Sequence, residues 1–527
     1  MAKEELTQPE NTKERDNVVS FQLNVPIIDL QQVEVQPEAL ALVPASVALE
    51  YNVLPLTLDD DTLTMVAEYP DDIQLIDTIA VLTQKKIKTV IPVQGNNLRD
   101  AITSHYKSTD LAEETLKDII GSVQETMVAE EPMDLVEAAA DAPVVKAVDW
   151  VLTEAVKERA SDIHIVPEEK ILKVRYRIDG VLHDSASLPL AIQSAILTRI
   201  KILANMNIAE RRRAQDGSFT DNLDGKEIDF RVATIGTSWG ESAVLRVLDK
   251  SFNLFELEQI GMPSYIQETY ETSLTSPFGM IIISGPTGSG KTTTLYASLL
   301  KLDATKLNIM SIEDPIEYKF EGVRQIQVNI AAGITFASGL RASMRMDPDV
   351  ILVGEIRDAE TARTAITAAL TGHLVLTSIH ANDAVGALVR LVDLGVEPFL
   401  VTSAVIATAS QRLVRRVCPK CAELKEAQLA DFMAYKQVTG KEKNEFYYGA
   451  GCHHCSLTGY RGRIGVFELL PVTDAIRSLI ARQAGSPEIK AQALKDGMLP
   501  MRHHGMNLAK EGITTPGEVA RNVFTIG

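Results

Sequence analysis

Residues 280–300 read MIIISGPTGSGKTTTLYASLL: an apolar run, a glycine-rich turn and an amphipathic run in immediate succession. MIIIS has the make-up of a buried parallel strand, and KTTTLYASLL that of a helix opening on Lys291. Between them Gly285 to Thr292, GPTGSGKT, fit the phosphate-loop pattern G-x-x-x-x-G-K-[ST]. Glycines are needed there because successive backbone N–H groups must curl inward around phosphate oxygens, where Cβ atoms would intrude. The reading assigns a nucleoside triphosphate to Gly285, Pro286, Thr287, Gly288, Ser289, Gly290, Lys291, Thr292 and Thr293. Lys291 reaches the β- and γ-phosphates, and the Thr292 hydroxyl is offered to Mg²⁺. A strand before the loop and a helix after it are the context that a chance octapeptide lacks.

Working outward, LNIMSI ends in Glu313-Asp314-Pro315-Ile316-Glu317, and DVILVG ends in Glu355-Ile356-Arg357-Asp358. Both acidic clusters stand where apolar strands emerge, the edge of a phosphate-loop sheet that faces metal and γ-phosphate. Either Glu313 or Glu355 is then the group that polarises water, and the competing reading is an acidic strand end meeting solvent. Gly354 occupies the place where an ordinary Walker B strand carries its aspartate, so Mg²⁺ is reached through Thr292 and water. In LRASMRMDPDV, Arg341 and Arg345 are one helical turn apart and share a face. His373 and His380 bracket the apolar run LVLTSI, and one of them is placed to sense the γ-phosphate. Packing or capping is the alternative for each.

The four cysteines form two pairs, Cys418-Pro-Lys-Cys421 and Cys452-His-His-Cys455. Each C-x-x-C turn puts two sulfurs on one tetrahedral edge, and thiolates suit Zn²⁺. Disulfides are the alternative, and His453 or His454 could replace one sulfur. The interval between the pairs is long for a zinc ribbon, and KEAQLADFMAYKQV within it has the composition of a helix.

With 527 residues, 45% apolar and 23% charged, the chain is an ordinary globular protein of several domains. A formal charge of −19 argues against wrapping nucleic acid, which needs a basic surface. No run of apolar residues is long enough to span a bilayer, and the start MAKEELTQPENTKERD has no signal-peptide core, so a cytosolic location is expected. Residues 1–20 are polar and expected to be disordered, and 21–106 form a small α+β module. In that module YNVLPLTL and TLTMVAEY flank Asp59, Asp60 and Asp61 as a hairpin, and DIQLIDTIAVLT and NLRDAITSHY have helical spacing. An acidic linker, 107–140, leads to a domain over 141–250, which opens with the helical VVKAVDWVLTEAVKERA. There ILKVRYRIDGVLHD turns at Asp179-Gly180, and EIDFRVATIG and SAVLRVLD carry Arg231 and Arg246 out of apolar strands. From 251 to 527 strand and helix alternate as in an open parallel sheet, with the four-cysteine lobe over 415–465.

Taken together, ASDIHI, RYRIDGVL, IAERRRAQDG, GPTGSGKTT, IEDPIEY, LRASMRMDPDVILVGEIRD, TGHLVLTSIHANDA, the cysteine pairs and GYRGRIGVFEL resemble the GspE/PilB family of type II secretion and type IV pilus assembly ATPases. The resemblance implies a RecA-like P-loop NTPase domain, a preceding α+β (PAS-like) domain, a small N-terminal α+β domain and a zinc-binding sub-domain. It implies a homohexamer with ATP between the two larger domains of the chain, completed by Arg231 and Arg246 from the preceding domain and by Arg341 and Arg345 from the ATPase domain. The expected partners are an inner-membrane platform protein and a membrane-anchored docking protein bound by the front module. Retraction ATPases resemble the core but generally lack the cysteine pairs and the front module, which favours assembly or secretion. Some relatives bind cyclic di-GMP through an arginine- and leucine-rich repeat. Here the module begins VPIIDLQQVEV with no such segment, so no cyclic di-GMP is expected. AQDGS, where relatives usually have PQDGR, and MRHHGMN depart from the family pattern. The resulting expectation is a Mg²⁺-dependent ATP hydrolase acting as a motor. Its rivals are a nucleic-acid translocase of the same superfamily and a non-hydrolysing nucleotide switch.

Overall fold

The computed structural model describes residues 27–28, 35–40, 42–44, 47–48, 51–59, 61–67, 72–92, 98, 101–102, 142–223, 225–249 and 256–523. The stretches 1–20 and 107–140 lie outside the described residues. The chain separates into two compact units, Met1–Lys250 and Ser251–Gly527.

In the front module β1 (Ile27–Ile28), β2 (Val53–Asp59) and β3 (Thr62–Ala67) precede helix α1 (Ile73–Thr83) and β4 (Lys86–Pro92). β2 and β3 pair antiparallel, whereas β3 and β4 pair parallel, so α1 is the crossover that parallel strands require. The sheet order is β1-β4-β3-β2. Val53, Leu54, Leu63, Met65 and Ile79 are fully buried in its core. Of NLRDAITSHY only Leu98, Ala101 and Ile102 are described, and all three are helical and buried.

The next domain opens with α2 (Ala142–Lys157) and continues through β5 (Asp162–Pro167), β6 (Ile171–Ile178), β7 (Val181–Pro189), α3 (Gln193–Leu203), β8 (Gln215–Leu223), β9 (Lys226–Thr237) and β10 (Gly240–Asp249). The sheet is antiparallel throughout, in the order β7-β6-β5-β10-β9-β8. Val144, Ala147, Val148, Val151, Leu152 and Ala155 recur at helical spacing in α2, and all face the core. Alternation along β6 buries Leu172, Val174 and Tyr176 against the helices and leaves Lys173, Arg175 and Arg177 on the open face. Asp179 and Gly180 take φ of 48° and 86°, the pair of left-handed residues that a two-residue I′ hairpin turn demands.

In the second unit α4 (Ser264–Leu274), β11 (Gly279–Ser284), α5 (Lys291–Lys301), β12 (Ile309–Glu313), β13 (Val323–Gln327), α6 (Phe336–Ser343), β14 (Val350–Val353), α7 (Ala359–Leu370), β15 (Leu374–Ile379) and α8 (Ala384–Asp393) alternate strand and helix. Then follow β16 (Val405–Val417), β17 (Ala422–Glu426), α9 (Leu429–Thr439), β18 (Glu445–Gly449), β19 (Tyr460–Pro471), α10 (Met501–Lys510) and α11 (Pro516–Asn522). The sheet has the order β13-β12-β14-β15-β11-β16-β19, parallel except for β19, which runs antiparallel to β16. Every residue of β11, β12, β14 and β15 is buried, because hydrophobic clusters cover both faces of the sheet. Continuous apolar runs such as MIIIS are what two-sided burial selects.

β16 and β19 run on as a ribbon into the cysteine lobe. The expected helix over KEAQLADFMAYKQV starts only at Leu429, and Lys425 and Glu426 belong to β17, which pairs antiparallel with β18. The insert is therefore strand, helix, strand, with Phe446 buried and stacked edge-on against Tyr435.

Candidate nucleotide and four-cysteine sites

β11 sits between β15 and β16, so the loop leaving it lies at the C-terminal edge of the sheet's centre. Gly285 and Gly290 are the glycines whose replacement the surroundings forbid. A Cβ on Gly285 would lie 2.7 Å from the Gln411 carbonyl oxygen, and Gly290 has φ of 88°. Lys291 Nζ donates to the Gly285 and Pro286 carbonyl oxygens at 2.9 and 3.1 Å, back across the loop. Burial pushes the Lys291 ammonium below its ordinary value, Glu355 opposes the shift and Arg412 adds to it. A half-buried cation with that balance favours an incoming anion. Thr292 is exposed at the start of α5.

The two glutamates have different surroundings. Glu313 is 3% exposed and accepts from the Tyr296 and Ser311 hydroxyls and from Gln325 Nε2, the last at 3.0 Å. Burial and this carboxyl push the Tyr296 phenol upward. With both oxygens occupied inside the core, Glu313 is built in as structure. Glu355 instead lies at the edge beside the loop, in contact with Arg357 and 3.4 Å from His380 Nε2. Its strand end is pinned on both sides: Gly354 N–H donates to the Ile312 carbonyl at 2.8 Å, and the Ser378 hydroxyl donates to the Gly354 carbonyl at 2.7 Å. A Cβ on Gly354, where an aspartate is usual, would stand 3.3 Å from the Ile312 oxygen, a tight contact.

The two histidines separate as cleanly. β15 pairs with β11 in register from Gly279↔Leu374 to Ser284↔Ile379, so His373 stands at the edge opposite the loop, about 20 Å away at strand rise. Its Nδ1 lies 2.8 Å from the Ala368 carbonyl at the end of α7. Of the two histidines from which one phosphate sensor was expected, His380 stands on the loop's edge of the sheet and His373, also named as a candidate, does not. Arg341 pairs with Glu360 at 2.8 Å in the first turn of α7. Arg345 is exposed but lies beyond the end of α6, in the following turn, so the two do not share one helix.

In the first unit Arg231 and Arg246 are direct cross-strand partners on β9 and β10. Like charges in register repel, and Asp162 offsets this by accepting from Arg246 Nε at 3.2 Å. Residues without a local sequence signal also gather at this edge of the sheet. Gln411 and Arg412 on β16 reach the loop region from more than a hundred residues away, and Arg412 donates to the Asn382 carbonyl at 3.0 Å. Glu468 on β19, 3% exposed, accepts from the first N–H of both α8 and α10, Ala384 at 2.8 Å and Met501 at 2.9 Å. Two helix N-termini on one carboxyl offset the burial that pushes it upward.

The four cysteine sulfurs lie within 4.8 Å of one another. A tetrahedron with Zn–S bonds of about 2.3 Å has sulfur–sulfur edges of about 3.8 Å. The separations Cys418–Cys452, Cys421–Cys455 and Cys452–Cys455 are 3.8, 3.8 and 3.7 Å. The cysteines are free, at nearly twice the length of a disulfide bond, so the spacing fits an ion and excludes the disulfide alternative. The N–H groups of Cys452 and Gly459 point at Cys455 Sγ at 3.2 and 3.3 Å, as donors to a thiolate. His454 is not part of the cluster.

The model of the type II/IV secretion system protein family matches residues 137–521, and that of the MshEN domain matches residues 23–111. The chain is 39% identical over 512 residues to the type IV pilus assembly ATPase PilB of Myxococcus xanthus, covering 96% of this chain and 90% of that one. It is 44% identical over 390 residues to the type II secretion system ATPase E of Vibrio cholerae, covering 74% and 77%. Among solved structures, the Legionella pneumophila ATPase DotB superposes with a TM-score of 0.53 at 19% identity, covering 75% of this chain and 97% of that one, a likeness of fold.

Proposed function

Since the chain belongs to the type II/IV secretion system protein family, we propose that it turns over ATP at the β11 loop and converts that turnover into movement of its two units. ATP hydrolysis of the secretion and pilus-assembly kind is its activity. The observation that carries the assignment of roles is the meeting, at one sheet edge, of Lys291, Glu355 and His380.

Lys291 gives up the Gly285 and Pro286 carbonyls for the β- and γ-phosphate oxygens. Glu355, freed from Arg357, orients the attacking water and takes its proton, and His380 holds the carboxyl in place. Thr292 would hold Mg²⁺, which supplies charge neutralisation across the phosphates. Glu313 serves as the buried anchor of β12, outside the chemistry. Arg231 and Arg246, paired across β9 and β10, act on the developing phosphate charge, with Arg341 and Arg345 available to a neighbouring copy in a homohexamer. Because Arg231 and Arg246 belong to a different unit from the phosphate loop, whereas Arg341 and Arg345 share the loop's unit, loss of the γ-phosphate removes an anion that the first pair would follow, and turnover becomes movement. Cys418, Cys421, Cys452 and Cys455 would hold Zn²⁺, which folds the lobe at the end of the β16–β19 ribbon and takes no part in hydrolysis.

No helix among the described residues is long and apolar enough to cross a membrane. By likeness to its secretion and pilus-assembly relatives, the motor works in the cytoplasm, joined to the inner membrane through a platform protein and, by the front module, a docking protein. The MshEN match brings cyclic di-GMP back as a candidate ligand of that module, against the missing arginine- and leucine-rich segment. Calorimetric titration of the full chain decides between them. Steady-state ATPase assays test the roles. Lys291→Ala abolishes turnover, and Arg231→Ala lowers turnover by about 10³-fold or more while leaving nucleotide affinity nearly unchanged. Equal loss of turnover and affinity in Arg231→Ala would count against the arginine assignment.

A further inference from the structure

Gln411 is 2% exposed on β16, the strand paired with β11. Its Nε2 donates to the Ser289 carbonyl at 2.7 Å, and its Oε1 accepts from the Thr294 hydroxyl at 2.7 Å. Its own carbonyl oxygen lies 2.7 Å from where a Gly285 Cβ would be, and its Nε2 lies 3.0 Å from that of Gly290. One residue on a neighbouring strand therefore meets the loop at its start through its backbone, and near the loop's end and in the first turn of α5 through its side chain.

The direction of the Ser289 carbonyl has a chemical consequence. In a trans peptide the C=O and the following N–H point to opposite sides. Drawing the Ser289 oxygen toward Gln411 turns the Gly290 N–H away from β16, to the side where the loop cradles phosphate. We propose that Gln411 is a positioning residue of the nucleotide site. It fixes the Ser289–Gly290 peptide so that the Gly290 N–H is presented to phosphate before nucleotide arrives. The buried carboxamide suits this task because it donates and accepts at once, and the Thr294 hydroxyl sets which end faces the loop. The inference rests on the loop's being the nucleotide site.

The test is ADP binding to the full chain at pH 8 and pH 6, for the parent protein and two variants. Gln411→Glu keeps length and an acceptor for Thr294 but sets an oxygen against the Ser289 carbonyl. It is expected to weaken ADP binding by about 10-fold or more at pH 8. Burial against the Ser289 carbonyl raises the carboxyl well above its ordinary value, so that at pH 6 it takes up a proton, its O–H can donate to the same carbonyl, and affinity recovers toward the parent's. Gln411→Met keeps the shape, removes both hydrogen bonds and stays weak at both pH values. Circular dichroism melts show whether each variant is folded. Parental affinity of Gln411→Glu at pH 8, or weakness that does not change with pH, overturns the proposal. Failure of the parent to bind ADP overturns the nucleotide-site reading instead.

Discussion

Changing Glu355 to Gln and, separately, Glu313 to Gln distinguishes a group that handles water from a group that holds a strand. Glu313 receives three donors inside the core, from Tyr296, Ser311 and Gln325. An amide there keeps one acceptor and turns an NH₂ toward hydroxyls already committed as donors, leaving one or two buried groups unsatisfied. At about 1–3 kcal/mol each, the cost is roughly 1–6 kcal/mol. For a unit of this size that corresponds to a fall in melting temperature of roughly 2–20 °C. Glu355 is at the edge, and its neighbours Arg357 and His380 are both half-exposed or more. Its amide leaves the core intact, and loss of a general base lowers kcat by about 10²–10⁴-fold. The assays are a thermal melt and steady-state phosphate release at saturating MgATP. Melting unchanged in Glu313→Gln with turnover lost, beside normal turnover in Glu355→Gln, would refute the assignment.

The cysteine lobe is expected to bind about one Zn²⁺ per chain, read by mass spectrometry of the purified protein, and Cys421→Ser is expected to lose the metal and the lobe's protection from proteolysis; metal-free protein with a protected lobe would contradict the tetrahedral reading. His504 on α10 is buried, accepts the Phe467 N–H at 2.9 Å, and burial pushes its imidazole down to about 4. The unfolded chain protonates near 6.5 and the folded one does not. Stability is therefore full above 6.5 and lost as pH falls through that window, by about 3 kcal/mol. His504→Asn, which keeps an acceptor for Phe467, should show that much less acid loss in urea titrations, and an unchanged pH profile would refute the assignment.

The sequence made local features plain and long-range ones obscure. MIIIS, the phosphate loop and the I′ turn at Asp179-Gly180 are legible because the backbone itself selects those residues. So is the cysteine site, since its spacing is the ligand geometry. His373 and His380 look equivalent in the chain, and only the parallel pairing of β15 with β11 shows that they stand at opposite sheet edges. Glu313 and Glu355 likewise both end apolar strands, and what separates them is a ring of donors supplied by α5 and β13. Gln411 carried no local signal at all, for its partner Ser289 is 122 residues away. The extra strand pair in the cysteine lobe was hidden because AELKE is exposed along its whole length and shows no alternation of burial.

The claim on which the account rests is that ATP turnover moves the Met1–Lys250 and Ser251–Gly527 units relative to one another. Spin labels on non-natural residues, one per unit so that the cysteines stay intact, allow their separation to be measured by double electron–electron resonance. The account predicts distinct distance distributions with ADP and with a non-hydrolysable ATP analogue, collapsing to one in Lys291→Ala. Identical distributions in both nucleotide states of the parent protein, with nucleotide bound, would contradict it.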